Sequence, residues 1–357
     1  MPTKSIAELR EMVGETRRTV EGFTVEAGKV EEFARAVKDD NPAHRDDAAA
    51  EARGFQRRPA PLTFSRTAYF PRYRPDGVDE IRPFDLGFRS AYSVHGEQSY
   101  EFERPVHVGD TLHADVTLAD VYRREGSAGG EMTFAEFEFE YLDADGDLVF
   151  TERQTVIETG GPIDDSSDGA SGDAEDGRND GDGTAEDGRN DGDRERGDGG
   201  GGRTDREPRG MTDAYRTPLA GDSVAVGDEA PPVVVEDLER RDFVRYAGAS
   251  GDFNPIHYDE PYATRAGNES VFAQGMLTAG FAAHAVADWF GLANVRTYTV
   301  RFRARVFPGD TVTASGVVTG VERTDETAVV DADLAVTNQD GTEVLSGSAT
   351  AELPNDP

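Results

Sequence analysis

The 357-residue chain has no cysteine, one tryptophan and only three lysines, at positions 4, 29 and 38. Without cysteine there can be no disulfide and no thiolate-held metal, and a reducing compartment suits such a chain. No apolar run approaches the roughly 20 residues that a membrane-crossing helix needs. The opening stretch MPTKSIAELREMVGE carries acids and lacks the apolar core of a secretory signal. The expected location is therefore the cytoplasm. The phosphate-binding GxxxxGK[ST] and the serine-hydrolase GxSxG are also missing.

What the chain has in excess is acid: 71 Asp+Glu against 37 Lys+Arg, a net charge of −34. Residues 160–210 hold −9 of it, leaving −25 spread over the rest. A dispersed acidic surface nearly free of lysine fits adaptation to high salt, where screening removes self-repulsion. It excludes nucleic-acid binding, which needs a basic face. The Debye length shrinks from ~30 Å at 0.01 M salt to ~3 Å at 1 M. The melting temperature should accordingly rise between dilute buffer and molar KCl, and an unchanged value would count against halophilic adaptation.

Residues 160–210 contain almost no large apolar side chains, and AEDGRNDGDG nearly repeats from Ala174 to Ala185. Such a segment cannot bury enough surface to offset its ordering entropy, so a disordered linker is expected. The spacing of its Gly/Asp repeats does not fit a calcium-binding β-roll. Before it, periodicity predicts helices at 5–12 and 29–37, a strand at 19–25 and a short helix at 62–70 stopped by Pro71. Strands follow at 91–105, 111–122, 132–141 and 148–157. After it come an extended stretch at 223–235, a helix at 238–247 capped by Asp237, and an apolar helix at 275–290. Strands close the chain at 296–307, 311–321, 328–337 and 343–352.

The second half repeats the first. Asp39-x-Asn41-Pro42-x-His44-x-Asp46 recurs as Asp252-x-Asn254-Pro255-x-His257-x-Asp259, 213 residues later. Phe102-x-x-x-Val106-x-x-Gly109-Asp110-Thr111 recurs as Phe302-x-x-x-Val306-x-x-Gly309-Asp310-Thr311, 200 residues later. Each unit is helix, polar loop, helix and four strands, which implies an α+β fold with an antiparallel sheet.

The stretch Ala249–Asp259 (ASGDFNPIHYD), then Ala263-x-x-x-Gly267 and Gly275–Gly280 (GMLTAG), resembles the MaoC-like family and within it the (R)-specific enoyl-CoA hydratases. The first half resembles the degenerate partner domain of that family through APLTF at Ala60–Phe64 and HGEQ at His95–Gln98. The resemblance implies a double hot-dog, two units each with a long helix wrapped by a curved antiparallel sheet. Residues 1–159 would be a substrate-binding hot-dog with a degenerate site, and 211–357 the catalytic one. It implies a coenzyme A or acyl-carrier-protein thioester as substrate, no separate cofactor, and allows a homodimer of double hot-dogs.

Hydrating a 2-enoyl thioester needs a group to deprotonate water, a proton for the α-carbon and donors for the thioester oxygen. By resemblance Asp252 and His257 are the catalytic dyad, acting jointly as a coupled pair, and Asn254 positions water or dyad. The Gly275 N–H, at the start of a helix whose dipole adds positive potential, is the expected oxyanion donor. Relatives often have His before that Gly-Met; here it is Gln274, which still donates a hydrogen bond. Arg301 alternates with Arg303 and Arg305 on one strand face, placed either to meet coenzyme A phosphates or to pair with surface acids. Asp39, Asn41 and His44 form a relic or second site; Pro61 and Pro71 favour the relic. His284 reads as a satisfied core histidine, and the remaining histidines make no metal site. The competing functions are hydration of a branched dicarboxylyl-CoA such as mesaconyl-CoA, helped by Arg72, Arg74 and Arg82, a non-catalytic acyl-CoA module, and a thioesterase.

Overall fold

A computed structural model of the chain describes residues 2–89, 92–125, 130–159 and 219–355. The expected linker at 160–210 lies outside the described residues. The two repeats belong to one compact unit, built on a single antiparallel sheet. The first repeat contributes β1 (Thr16–Thr24), β2 (Ser93–Phe102), β3 (Thr111–Glu125), β4 (Glu131–Leu142) and β5 (Leu148–Glu158). The second contributes β6 (Val233–Val235), β7 (Val295–Phe302), β8 (Val312–Arg323), β9 (Thr327–Asn338) and β10 (Glu343–Pro354). Their order is β1-β3-β4-β5-β2-β7-β10-β9-β8-β6, the same sequence of strands read outward from the centre in both directions. The halves meet at β2 and β7, where Tyr100 lies opposite Tyr298 and Glu97 opposite Arg301.

The strands follow from alternation. In β3, Leu112, Ala114, Val116 and Leu118 are buried while the residues between them are not, which is the period of two that a one-sided sheet requires. Among the described residues each repeat has five strands rather than four, because β1 and the short β6 close the outer edges.

The helices are α1 (Ile6–Glu11), α2 (Ala27–Ala36), α3 (Asp47–Glu51), α4 (Arg240–Ser250), α5 (Glu260–Arg265) and α6 (Gly275–Phe290). In α2, Val30, Phe33 and Ala34 are buried, with Val37 just beyond it. That face meets α4: Lys38 pairs with Asp242 at 3.0 Å and Lys29 donates to the Gly248 carbonyl at 3.0 Å. α6 is buried almost all round, as an apolar helix without a polar face must be. It lies on the sheet, where the Tyr298 hydroxyl donates to the Ala279 carbonyl at 2.6 Å.

Two expected elements differ. The helix after residue 237 is capped by Glu239, which shares a reciprocal capping box with Asp242; Asp237 instead takes a positive φ of 47° and donates its N–H to Thr311 Oγ1. The expected helix at 62–70 is a 3₁₀ segment, Phe64–Tyr69, followed by a second turn at Pro71–Tyr73. Pro71 has no N–H to return to the turn before it, so an α-helix cannot propagate there. The first repeat therefore lacks the long central helix of the second. No helix among the described residues is long and apolar enough to cross a membrane.

Candidate active site

α4 ends at Gly251 in the left-handed region, which turns the chain into the polar loop. Asp252 follows, partly exposed, and its Oδ1 accepts the Asn254 N–H at 3.3 Å. Asn254 Oδ1 in turn accepts the Ile256 N–H at 3.2 Å, capping the 3₁₀ turn Pro255–His257. Asn254 thus holds the turn that delivers His257.

His257 is 8% exposed and its Nδ1 lies 2.8 Å from the Phe272 carbonyl oxygen. A carbonyl only accepts, so Nδ1 carries the proton and the neutral ring keeps a lone pair on Nε2. Burial lowers the imidazole pKa below its ordinary value, against the opposing pull of the Asp252 charge and the Phe272 carbonyl. No hydrogen bond joins Asp252 to His257 among the described residues.

Gly275 is the first residue of α6, so its N–H is one of those a helix start leaves without an intrahelical partner. A side chain there would meet the Phe302 ring at 3.0 Å, so packing demands glycine as well. Gln274 is buried; its Nε2 donates to the Phe243 carbonyl at 3.0 Å, tying the start of α6 to α4. Its Oε1 has no protein partner.

The first repeat keeps the same loop in a different state. His44 Nδ1 meets the Pro59 carbonyl at 2.8 Å, as His257 meets Phe272, but His44 Nε2 also lies 3.0 Å from Asp39 Oδ2. Asp39 Oδ1 accepts the Asn41 N–H at 3.0 Å, and Asn41 Oδ1 accepts the Ala43 N–H at 3.0 Å. Asp39 and His44 are 2% and 0% exposed, so no face of the pair meets solvent. Burial opposes both charges, yet each holds the other: the carboxyl is driven down and the imidazole up. With both ring nitrogens donating, His44 is a cation without a basic lone pair.

The reason for the difference is the helix that each dyad faces. α6 of the second repeat lies over the first dyad: at Gly280 a side chain would meet Val37 at 2.6 Å. His284 sits 3.8 Å from Asp39 Oδ1 and 3.0 Å from Asp288 Oδ2. His284, expected as a core histidine, is buried and ion-paired across the repeats, and these acids raise its pKa to about 9 despite burial. The loop of the second dyad meets the shortened segment of the first repeat. There Thr67 Oγ1 reaches the Ala249 carbonyl at 3.5 Å, and the Phe70 ring packs on Gly251.

Arg301 is not brought to the dyad face. Tyr298 and Val300 point to α6, so Arg301 lies on the opposite face of β7, where it pairs with Glu97 at 2.5 Å. Arg303 reaches Ser346 and Glu343, and Arg305 stacks 5.2 Å over Phe272. Arg72 engages Glu26 and Tyr73, and Arg74 bonds the Tyr69 carbonyl. Arg82 turns inward to Gln154 at 2.8 Å. Sequence reasoning passed over Arg66, which is 7% exposed on the segment that touches the dyad loop; a cation inside an otherwise apolar stretch was the available signal.

Residues 11–152 match the family described as FAS1-like, dehydratase domain region, and residues 223–340 match the MaoC like domain. A UPF0336 protein of Mycolicibacterium paratuberculosis is 33% identical over 150 residues, which are 42% of this chain and 81% of that protein. A solved structure described as a MaoC-like dehydratase aligns over 98% of this chain and 100% of its own, with 29% identity and a TM-score of 0.70. A Mycobacterium tuberculosis protein described as having a double hot-dog fold aligns over 96% of each chain at 14% identity and a TM-score of 0.59, a likeness of fold.

Proposed function

Because the chain belongs to the MaoC-like dehydratases, we propose that it catalyses the reversible hydration of 2-enoyl-CoA to (R)-3-hydroxyacyl-CoA at Asp252 and His257. One observation carries this reading: the second dyad offers a neutral imidazole whose Nε2 makes no hydrogen bond among the described residues, whereas the first dyad is closed on itself.

In the hydration direction His257 Nε2 takes a proton from water while Asp252 orients it. The water oxygen bonds to the β-carbon, and the π electrons pass through the α-carbon to the thioester oxygen. The Gly275 N–H receives the charge on that oxygen at the positive end of α6. The proton then held by the dyad passes to the α-carbon, so the site ends as it began. The (R) outcome is what the family resemblance implies. Coenzyme A is part of the substrate, and the first repeat serves as the acyl-binding partner.

The test is spectrophotometric hydration of crotonyl-CoA in molar KCl, with chiral analysis of the product. His257 must be neutral to accept a proton, so hydration should fail as pH drops through its pKa. That pKa is shifted below the ordinary ~6.5 by burial. kcat/KM should therefore hold level from neutral pH down past 6.5 and fall only below it. An acid limb centred above 6.5 would remove His257 as the base.

A further inference from the structure

The duplication supplies an internal comparison of the two sheet linings. In the second repeat the positions that face α6 are apolar or small, with Val300 opposite Gly347 and Tyr298 opposite Ala349. At the matching positions of the first repeat Tyr100 lies opposite Glu152 and Gln98 opposite Gln154. Glu152, Gln98 and Gln154 are each no more than 1% exposed. These polar groups lie in the half whose central helix is cut short, and they form a buried polar cluster there.

Arg66 joins this cluster from the 3₁₀ segment and stacks 3.8 Å over the Tyr69 ring. Its Nε and Nη1 have no hydrogen-bond partner among the described residues, and no carboxylate lies within ion-pair distance. Glu152 is near enough to feel its charge, but Glu152 Oε1 is already held by Tyr69 at 3.2 Å and Gln154 at 2.5 Å. Both amide atoms of Gln98 are likewise unpartnered. Arg82 adds a second guanidinium through Gln154, with Glu80 and Glu152 within its electrostatic reach. Asp252 lies within electrostatic reach of Arg66, which places the cluster near the dyad loop.

A buried guanidinium without a partner is strongly unfavourable, and a fork-matched carboxylate offsets that cost. An alkyl tail would bury Arg66, Gln98 and Glu152 without satisfying any of them. We propose that this buried polar cluster is a carboxylate-binding subsite, and that the substrate is a short 2-enoyl thioester whose acyl chain carries a second carboxylate received by Arg66. The substrate class rests on the hydration reading; the subsite does not.

The experiment separates the two. Calorimetric binding of glutaryl-CoA and of its uncharged isostere 5-methylhexanoyl-CoA, neither of which can be hydrated, reads the subsite alone. Hydration of the corresponding 2-enoyl thioesters reads the chemistry. The wild type should prefer the carboxylated member of each pair by about 10²-fold, the scale of a charged pair left unmet. Arg66→Gln should erase that preference, and Arg66→Lys, keeping charge without the fork, should retain part of it. Arg66→Gln/Glu152→Gln serves as the charge-balanced variant if the single change does not fold. A wild type that binds both analogues equally overturns the subsite, and this holds even if no variant folds. A preference that survives Arg66→Gln overturns the role of Arg66. Binding preference without turnover of either enoyl thioester keeps the subsite and removes the hydration reading.

Discussion

Asp252→Asn and His257→Asn should each slow 2-enoyl-CoA hydration by about 10²–10⁴-fold, the contribution of a positioned acid–base group. Asp252→Asn keeps shape, and His257→Asn removes the ring but keeps a donor on the Nδ1 side. An asparagine at 252 still presents an oxygen to the Asn254 N–H. At 257 its amide can still donate to the Phe272 carbonyl. Folding should therefore change by no more than about 1–2 kcal/mol. Because the two groups act on one water, the double variant should be scarcely worse than either single one. Steady-state rates of the folded variants decide the matter: substantial activity in either would remove the dyad assignment.

Asp39→Asn should do the reverse, costing stability and sparing the rate. Asp39 is buried between His44 and His284, and removing one partner of a buried charged pair typically costs about 3–5 kcal/mol. The sign of its pH dependence follows from the shifts. The histidine pKa values are raised on folding, so their contribution is full below the unfolded value of ~6.5. It is lost as pH rises through the folded value, about 9 for His284. The Asp39 carboxyl is depressed, so its contribution persists above the unfolded ~3.9 and is lost as pH falls below it. The gap in melting free energy between wild type and Asp39→Asn should be widest between those unfolded values and should narrow toward pH 9. The rate per folded molecule should barely move, since Asp252 and His257 are the proposed working dyad. If Asp39→Asn halved the rate and Asp252→Asn kept the other half, two working sites would be the better account.

The repeats, their strands and the dyad loop were legible because each is written in local pattern. The Asp-x-Asn-Pro-x-His spacing encodes a capped 3₁₀ turn, which needs only the side-chain oxygens of Asn41 or Asn254 and the rigid ring of the next proline. Alternation wrote β3 and β9 in the same way, and the run of small apolar residues wrote α6. Pro71 was enough to say that the first repeat's central helix would be cut short, but not that 62–70 would hold a 3₁₀ segment in place of the expected short helix. The cap at Glu239 was missed because Asp237 and Glu239 both suit a helix start, and only the backbone at 237 separates them.

Which dyad is open was decided by the tertiary structure. Both loops carry the same residue types and the same histidine-to-carbonyl bond; they differ in what the opposite repeat lays across them, and packing across the seam has no signature in either loop. The same holds for Arg66 and Arg301. One is a cation that folding buries without a partner, and the other is turned to the far face of β7, where the β2–β7 pairing sets Glu97 beside it. Sequence determined the fold and the kinds of side chain at each loop, because those rest on periods of two and 3.6 and on caps a few residues long. Their exposure, charge state and partners rest on contacts between residues some two hundred positions apart, which only the closed sheet brings together.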